Sequence, residues 1–307
     1  MNIFITGAGG YIGGSVAAAL LANGHHVRGL ARSEPSAAKL AARGIEPVLG
    51  TLDDAGLLAQ EARNSDGVIN TASADHAGAV ESLLAGLEGS SKPLLHTSGS
   101  SVVGDDARGS RRSAQVFDGL SPLVVNPAKQ SRRNIDLAVL GAAARGVRSA
   151  VICPSLIYGV GTGPNPHSVQ IPFLAANARE RGRVQIVGAG LNVWSNVHID
   201  DVVDLYLLAL AKAPAGAFYF AENGEASFGD IGAAVARRLA LPNVESLPPE
   251  LAAQRWGEPR AYFSLGSNSR VSSIRARREL GWAPHHASLI AWILGAMPVD
   301  ASAASSS

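Results

Sequence analysis

The run Thr6-Gly7-Ala8-Gly9-Gly10-Tyr11-Ile12-Gly13 is spaced to hold a phosphate. An apolar run, Asn2 to Ile5, precedes it and an alanine-rich stretch, Ser15 to Ala22, follows, so the glycines fall at a strand-to-helix turn. A Cβ there would block positive φ angles and keep backbone amides from closing on a pyrophosphate. The free N–H groups of the helix then face the phosphates, which makes Gly7, Gly10, Tyr11 and Ile12 candidate contacts of a dinucleotide. At the end of the second apolar run stands Leu30-Ala31-Arg32-Ser33. A carboxylate at this tip would bind a ribose 2′-hydroxyl, whereas a guanidinium suits a 2′-phosphate. Arg32 and Ser33 therefore favour NADP(H) over NAD, with Glu34 the nearest group able to reach a ribose hydroxyl.

Further landmarks follow in order. They are Gly50-Thr51-Leu52-Asp53, Asn70-Thr71-Ala72-Ser73, Thr97-Ser98-Gly99-Ser100-Ser101 with Gly104, and Pro154-Ser155-Leu156-Ile157-Tyr158-Gly159. Val197-His198-Ile199-Asp200-Asp201-Val202 and Glu279-Leu280-Gly281-Trp282-Ala283-Pro284 complete the series. With the G-x-x-G-x-x-G spacing, this set resembles the extended and atypical short-chain dehydrogenase/reductase superfamily, the epimerase/dehydratase-like group included. The resemblance implies that Leu52, Asp53, Ala72, Ser73, Thr97, Ser98, Pro154 and Ile157 line the cofactor.

It also implies an acid/base tyrosine, a lysine four residues later on the same helix face, and a Ser/Thr that orients the substrate oxygen. This chain departs from that pattern, because no tyrosine lies between Ser121 and Gly146. One register makes Lys129 the lysine and leaves Val125 at the tyrosine position. The other matches Ser131-Arg132-Arg133-Asn134-Ile135-Asp136 to the family's S-K-x-x-x-E, so that Arg132 is the cation and Ala128 replaces the tyrosine. We adopt the second, which keeps the serine, the acidic residue and the distance to Pro154; Lys129 is then a surface residue at the helix start. Arg132 can hold a ribose and is a poor proton donor. Counting back from Gly104 puts the family's Ser/Thr on Gly99, and Ser100 beside it is the candidate substrate hydrogen bond, a turn serine being the alternative.

Asn165, His167, Trp194 and His198 are expected in loops facing the cleft, as substrate contacts. The pairs His25-His26 and His285-His286 are adjacent, which suits no metal, and solvated side chains are expected. Asp200 or Asp201 should cap the helix after them. Arg108 to Arg112 reads as an exposed loop or, alternatively, a basic lid. Cys153 lies in an apolar run and is expected to be a buried thiol.

These groups need a scaffold, and the alternation of apolar runs with amphipathic stretches supplies it. Strands are predicted near 2–6, 26–30, 46–49, 67–70, 93–97 and 148–152, with helices at 11–22, 36–43, 55–63, 75–88 and 128–145. The fold class is α/β: a Rossmann-type doubly wound parallel sheet over 1–158, with 193–221 returning to it. A smaller substrate-binding domain takes 159–192 and 222–297, and 298–307 reads as a disordered Ala/Ser tail. With 307 residues, 47% hydrophobic, 17% charged and a net charge of +1, the chain points to a small-molecule partner, not nucleic acid or membrane. No signal peptide or membrane span is expected, a cytoplasmic location fits the single cysteine, and a homodimer is possible.

The leading expectation is an NADP(H)-dependent oxidoreductase acting on a small carbonyl, imine or activated alkene with a non-standard proton source. A non-catalytic dinucleotide sensor is the alternative. A nucleotide-sugar epimerase or dehydratase ranks third, since there the missing tyrosine carries the chemistry.

Overall fold

Short β-branched runs separated by amphipathic stretches order the first half of the chain, and the backbone follows them. The computed structural model describes residues 1–299. Strands β1 (Asn2–Thr6), β2 (His26–Ala31), β3 (Glu46–Leu49), β4 (Gly67–Asn70), β5 (Pro93–Thr97) and β6 (Arg148–Pro154) alternate with five helices. These are α1 (Tyr11–Ala22), α2 (Glu34–Ala41), α3 (Ala55–Asn64), α4 (Ala77–Leu87) and α5 (Gln130–Gly141). Helix α2 starts earlier than its apolar pattern suggests, because Ser33 caps it by accepting from the Ser36 N–H and Pro35 fits the first turn. Helix α5 is shorter than predicted. Tight 3₁₀ turns, Pro127–Lys129 and Ala142–Arg145, flank it.

The chain continues through β7 (Leu156–Tyr158), α6 (Gln170–Arg181), β8 (Val184–Val187), β9 (Val193–His198), α7 (Ile199–Lys212), β10 (Ala217–Ala221), β11 (Glu225–Ser227), α8 (Phe228–Arg238) and β12 (Val244–Leu247). Seven strands form one parallel sheet in the order β10-β6-β5-β4-β1-β2-β3. Successive residues of a strand serve opposite faces: Ile3 and Ile5 pack with Val16, Leu20 and Tyr206 of α1 and α7, while Phe4 packs with Leu58, Leu83 and Val139 of α3, α4 and α5. The strand order reverses between β1 and β4, which opens a crevice at their carboxyl ends.

A third apolar cluster, including Tyr158, Ile171, Trp194 and Phe228, forms away from the large sheet. The segment 193–221, expected to return whole to the first domain, divides. Strand β9 pairs with β7 and β11 in a small sheet, and only α7 and β10 join the large one. Of the expected tail, Pro298 and Val299 offer their carbonyls to Arg179, and 300–307 lie outside the described residues. No helix among the described residues is long and apolar enough to cross a membrane.

Candidate active site

The β1–α1 turn is shaped by what it excludes. Gly7 has φ +79°, and a Cβ on it would stand 2.7 Å from the Ala72 amide nitrogen. On Gly13 a Cβ would come within 2.3 Å of the Gly7 carbonyl oxygen. That carbonyl accepts from the Gly10 N–H at 2.8 Å, closing the turn. Gly10 caps α1 with no side chain, and no acidic residue stands in the first turn. The amides of Tyr11 and Ile12 are therefore free for an external anion, and the cradle fits a pyrophosphate. The Tyr11 hydroxyl donates to the Gly159 carbonyl at 2.9 Å; burial, with Asp200 nearby, pushes this phenol far above its usual range. Loop 159–164 leans on the same helix: the Thr162 N–H donates to Ser15 Oγ and Arg43 to the Thr162 carbonyl.

Along the outer strands, Arg32 is exposed at the end of β2. Its neighbour Ser33 spends its hydroxyl on the α2 cap. Leu52 packs on the core, Asp53 pairs with His76 at 3.1 Å, Ala72 puts its backbone against Gly7, and Ser73 Oγ accepts from the Asp75 N–H. At the other edge, Pro154 ends β6 in register with Ala221 and Ile157 is half-buried.

The β5–α5 junction holds the polar side chains. Arg132 makes a bidentate pair with Asp75, Nε to Oδ1 at 2.8 Å and NH2 to Oδ2 at 2.5 Å, and donates from NH1 to Ser101 Oγ at 3.2 Å. This hydrogen-bonded pairing holds the Asp75 carboxyl below its ordinary value and raises the guanidinium. Gly99 lies directly beneath, where a Cβ would meet only Arg132 NH1, at 3.4 Å. Ser100 is not the open serine: it is 1% exposed, and its hydroxyl and carbonyl both bond Ser269 Oγ at 2.8 Å. The reason is the 3₁₀ turn Ser100–Val103, which rotates each residue about 120° from the last and leaves Ser101 facing Arg132. Thr97 Oγ1 is 2.5 Å from the Tyr206 hydroxyl, and Ser98 Oγ donates to Asp136 Oδ2 at 3.1 Å. Ala128 is exposed on the turn before α5. Lys129 is no plain surface residue: its ammonium sits over the Phe263 ring and is held below its usual value by burial and by Arg132.

Of the four expected substrate contacts, two lie on β9 and two in the loop before α6. Trp194 is a buried residue of β9 whose Nε1 donates to the Ser267 carbonyl. Asn165 is exposed and accepts from the His167 N–H, so both belong to their own turn. His198, not Asp200 or Asp201, caps α7, its Nδ1 accepting from the Asp200 N–H. Asp201 instead accepts the backbone N–H groups of His285 and His286. The His286 ring stacks on His198, with centroids 3.9 Å apart and 18° between planes, so it is not simply solvated. Stacked rings aim their lone pairs side by side, which does not suit a shared metal with Asp200. The Arg108–Arg112 loop is pinned as well: Arg108 pairs with Asp106 and lies over Tyr262, Arg111 pairs with Asp105 and Arg112 with Glu225.

Similarity to known proteins agrees with this architecture. Residues 3–219 match the model of the NAD dependent epimerase/dehydratase family. The chain belongs to that family. An oxidase, ucsJ, from an Acremonium species is 33% identical, the match covering 92% of this chain and 92% of that protein. A ketoreductase of Stigmatella aurantiaca, named for a farnesylated dihydroquinoline oxide, is 28% identical with the same coverage of both chains. Among solved structures, a dTDP-glucose 4,6-dehydratase from Streptomyces venezuelae with NAD bound superposes with a TM-score of 0.76 at 22% identity, over 96% of this chain and 95% of that one. An NAD(P)-dependent oxidoreductase is the class that the family and these relatives support.

Sequence reasoning missed Asp75, Ser101, His96 and Asp136. Ser101 and Asp136 each carried a signal, as members of the Thr97–Ser101 and Ser131–Asp136 patterns. Asp75 meets Arg132 across 57 positions of sequence, a pairing that no local spacing announces.

Proposed function

We propose that this protein is an NADP(H)-dependent reductase of small carbonyl, imine or activated alkene substrates that works without the family's tyrosine. The observation carrying this reading is the pairing of a glycine turn that leaves the Tyr11 and Ile12 amides free with an Arg132–Asp75–Ser101 cluster over Gly99. When bound, a dihydronicotinamide would supply the electron pair and one hydrogen. The first-turn amides of α1 would hold the pyrophosphate, and Arg32 the 2′-phosphate. Arg132, fixed in place by Asp75, would orient ribose or substrate oxygens as a cation that keeps its proton. Ser101, whose oxygen accepts from Arg132, retains a proton to donate toward the cleft.

Calorimetry tests the cofactor. NADPH should bind at least several-fold more tightly than NADH, and Arg32→Ala should remove that preference. Equal affinities, or an Arg32→Ala protein that loses nothing toward NADPH, would remove Arg32 from the site.

A further inference from the structure

A reductase must supply a proton as well as an electron pair, and the exposed Ala128 supplies none. Beneath the cleft runs a buried polar chain. Thr6 Oγ1 donates to Asn70 Oδ1 at 2.5 Å, and Asn70 Nδ2 donates to His96 Nδ1 at 3.0 Å. With Nδ1 accepting, the His96 proton sits on Nε2, which faces Asp136 Oδ1 at 4.0 Å. Neither of these two atoms has a hydrogen-bond partner, and both side chains are 0% exposed. The other Asp136 oxygen accepts from Ser98 Oγ at 3.1 Å and lies 3.9 Å from Arg133 NH1, itself unpartnered. Asp201 is equally enclosed yet accepts two backbone N–H groups and contacts His286 Nδ1. Asp136 is starved of donors by comparison, and a buried carboxyl with so few favours its acid form.

We propose that Asp136 is the proton reservoir of this site and that the Ser98 hydroxyl is its outlet to the substrate. This rests on the reductase reading above. Asp136 is fully enclosed and acts through Ser98, which follows β5 directly before the side-chain-free Gly99. A dihydronicotinamide held at the β1–α1 turn would supply the electron pair and hydrogen of the new C–H bond as the C=O π bond breaks. In the acid form the 3.1 Å contact runs the other way, the Asp136 O–H donating to Ser98 Oγ; the substrate oxygen takes the Ser98 Oγ proton, Ser98 takes the Asp136 proton, and Asp136 is left as a carboxylate that is reprotonated from water between turnovers.

The surrounding charges suit the role. Burial, opposed by Ser98, Arg133 and Arg132, lifts the Asp136 carboxyl to about 6. From β5, His96 is pushed down to about 4, mainly by burial, and stays neutral. From β6, the buried Cys153 thiol is pushed well up and keeps its proton. Asp75, before α4, has its charge taken by Arg132. Asp136 is thus the group in this pocket that titrates near neutrality.

Infrared spectroscopy of the full chain tests this without turnover. Wild-type protein should show a carboxylic-acid carbonyl band that disappears with a midpoint near pH 6, is missing in Asp136→Asn, and changes frequency in Ser98→Ala. With NADP⁺ bound, the cationic ring near Ser98 should bring the midpoint about 1 lower than with NADPH. No such band above pH 5 would overturn the reservoir. So would a band indifferent to Ser98→Ala, or a midpoint identical with NADP⁺ and NADPH in protein shown by fluorescence to bind both. Should the wild type bind neither nucleotide while the band persists and responds to Ser98→Ala, the reductase reading fails and the buried acid stands. Ser98→Thr, which keeps the hydroxyl, should retain the wild-type band, so a folding defect in Asp136→Asn does not decide the matter.

Discussion

The two ends of the cleft are made of different material. At the β1–α1 turn the working groups are backbone amides, and the side chains matter by their absence: a Cβ on Gly7 or Gly13 would strike main-chain atoms. At the β5–α5 junction the polar groups are side chains, Arg132, Asp75, Ser101 and Ser98, and a Cβ on Gly99 would meet only Arg132 NH1, at 3.4 Å. A site built from backbone cannot change its residues without losing its shape. One built from side chains can exchange a tyrosine and a lysine for an alanine and an arginine and keep its fold.

The largest expected effect comes from moving each end toward the other. Gly13→Ala should weaken NADPH binding by about a hundredfold and lower stability by about 1 to 3 kcal/mol, since Gly7 and Thr71 must give way. Gly99→Ser should change stability by no more than about 0.5 kcal/mol. Calorimetry and thermal unfolding of the two variants decide it. A Gly99→Ser protein as damaged as Gly13→Ala would erase the distinction between the two ends.

The same distinction explains how much was legible in the sequence. Strands β1 to β6 stand close to where the apolar runs placed them, and β4 and β5, covered on both faces, are buried along their whole length. The glycine turn was legible for its steric reason. At the other end, register singled out Arg132 and not its partner Asp75, because the pair is made by folding. Ser100 was chosen over Ser101 as the substrate contact, and the 3₁₀ turn, invisible in composition, buries the first and turns the second toward Arg132. His198 was expected in a loop facing the cleft; it ends β9, and its ring nitrogen closes the start of α7.

A second test uses pH. The Asp136 carboxyl is raised to about 6 from its ordinary 3.8, so between these values the folded state binds the extra proton. No charge is therefore buried in acid, and stability falls as pH rises from about 3.8 through about 6. Asp136→Asn carries no such proton and should be more stable than wild type at pH 8, by on the order of 2 kcal/mol, with the gap narrowing toward pH 5. His96, pushed down to about 4, has the opposite sign, gaining stability as pH rises from about 4 through its ordinary 6.5, but it is common to both proteins and cancels in the difference. Chemical denaturation across pH 5 to 8 measures the gap. A constant gap would mean that Asp136 does not titrate, and the chemistry of this end would then rest on Arg132 and Ser101.

Arg132→Ala should cost about 1 kcal/mol at pH 7, the scale of a partly exposed bidentate pair. Asp75 is held below its ordinary value, so the pair's contribution is present above about 3.8 and is lost as pH falls through the lower, folded value. Wild type and variant should converge in strong acid. Thermal unfolding at pH 7 and pH 3 checks this. Arg132→Lys should recover only part of the loss, because an ammonium cannot bridge both Asp75 oxygens and Ser101 in one plane.

The smallest effect separates the two neighbouring serines. Ser101→Ala removes one acceptor from a guanidinium that keeps both bonds to Asp75, so stability should move by less than about 0.5 kcal/mol. Ser100→Ala acts on a 1% exposed hydroxyl bonded to Ser269 and should cost about 1 kcal/mol, with no change in nucleotide affinity. Unfolding midpoints and NADPH titrations of both proteins give the ordering. If Ser100→Ala instead left stability intact and impaired nucleotide binding, the 3₁₀ turn would present the other serine to the cleft. Arg132 would then need a different partner in place of Ser101, because its NH1 cannot reach a hydroxyl that points away from it into the core.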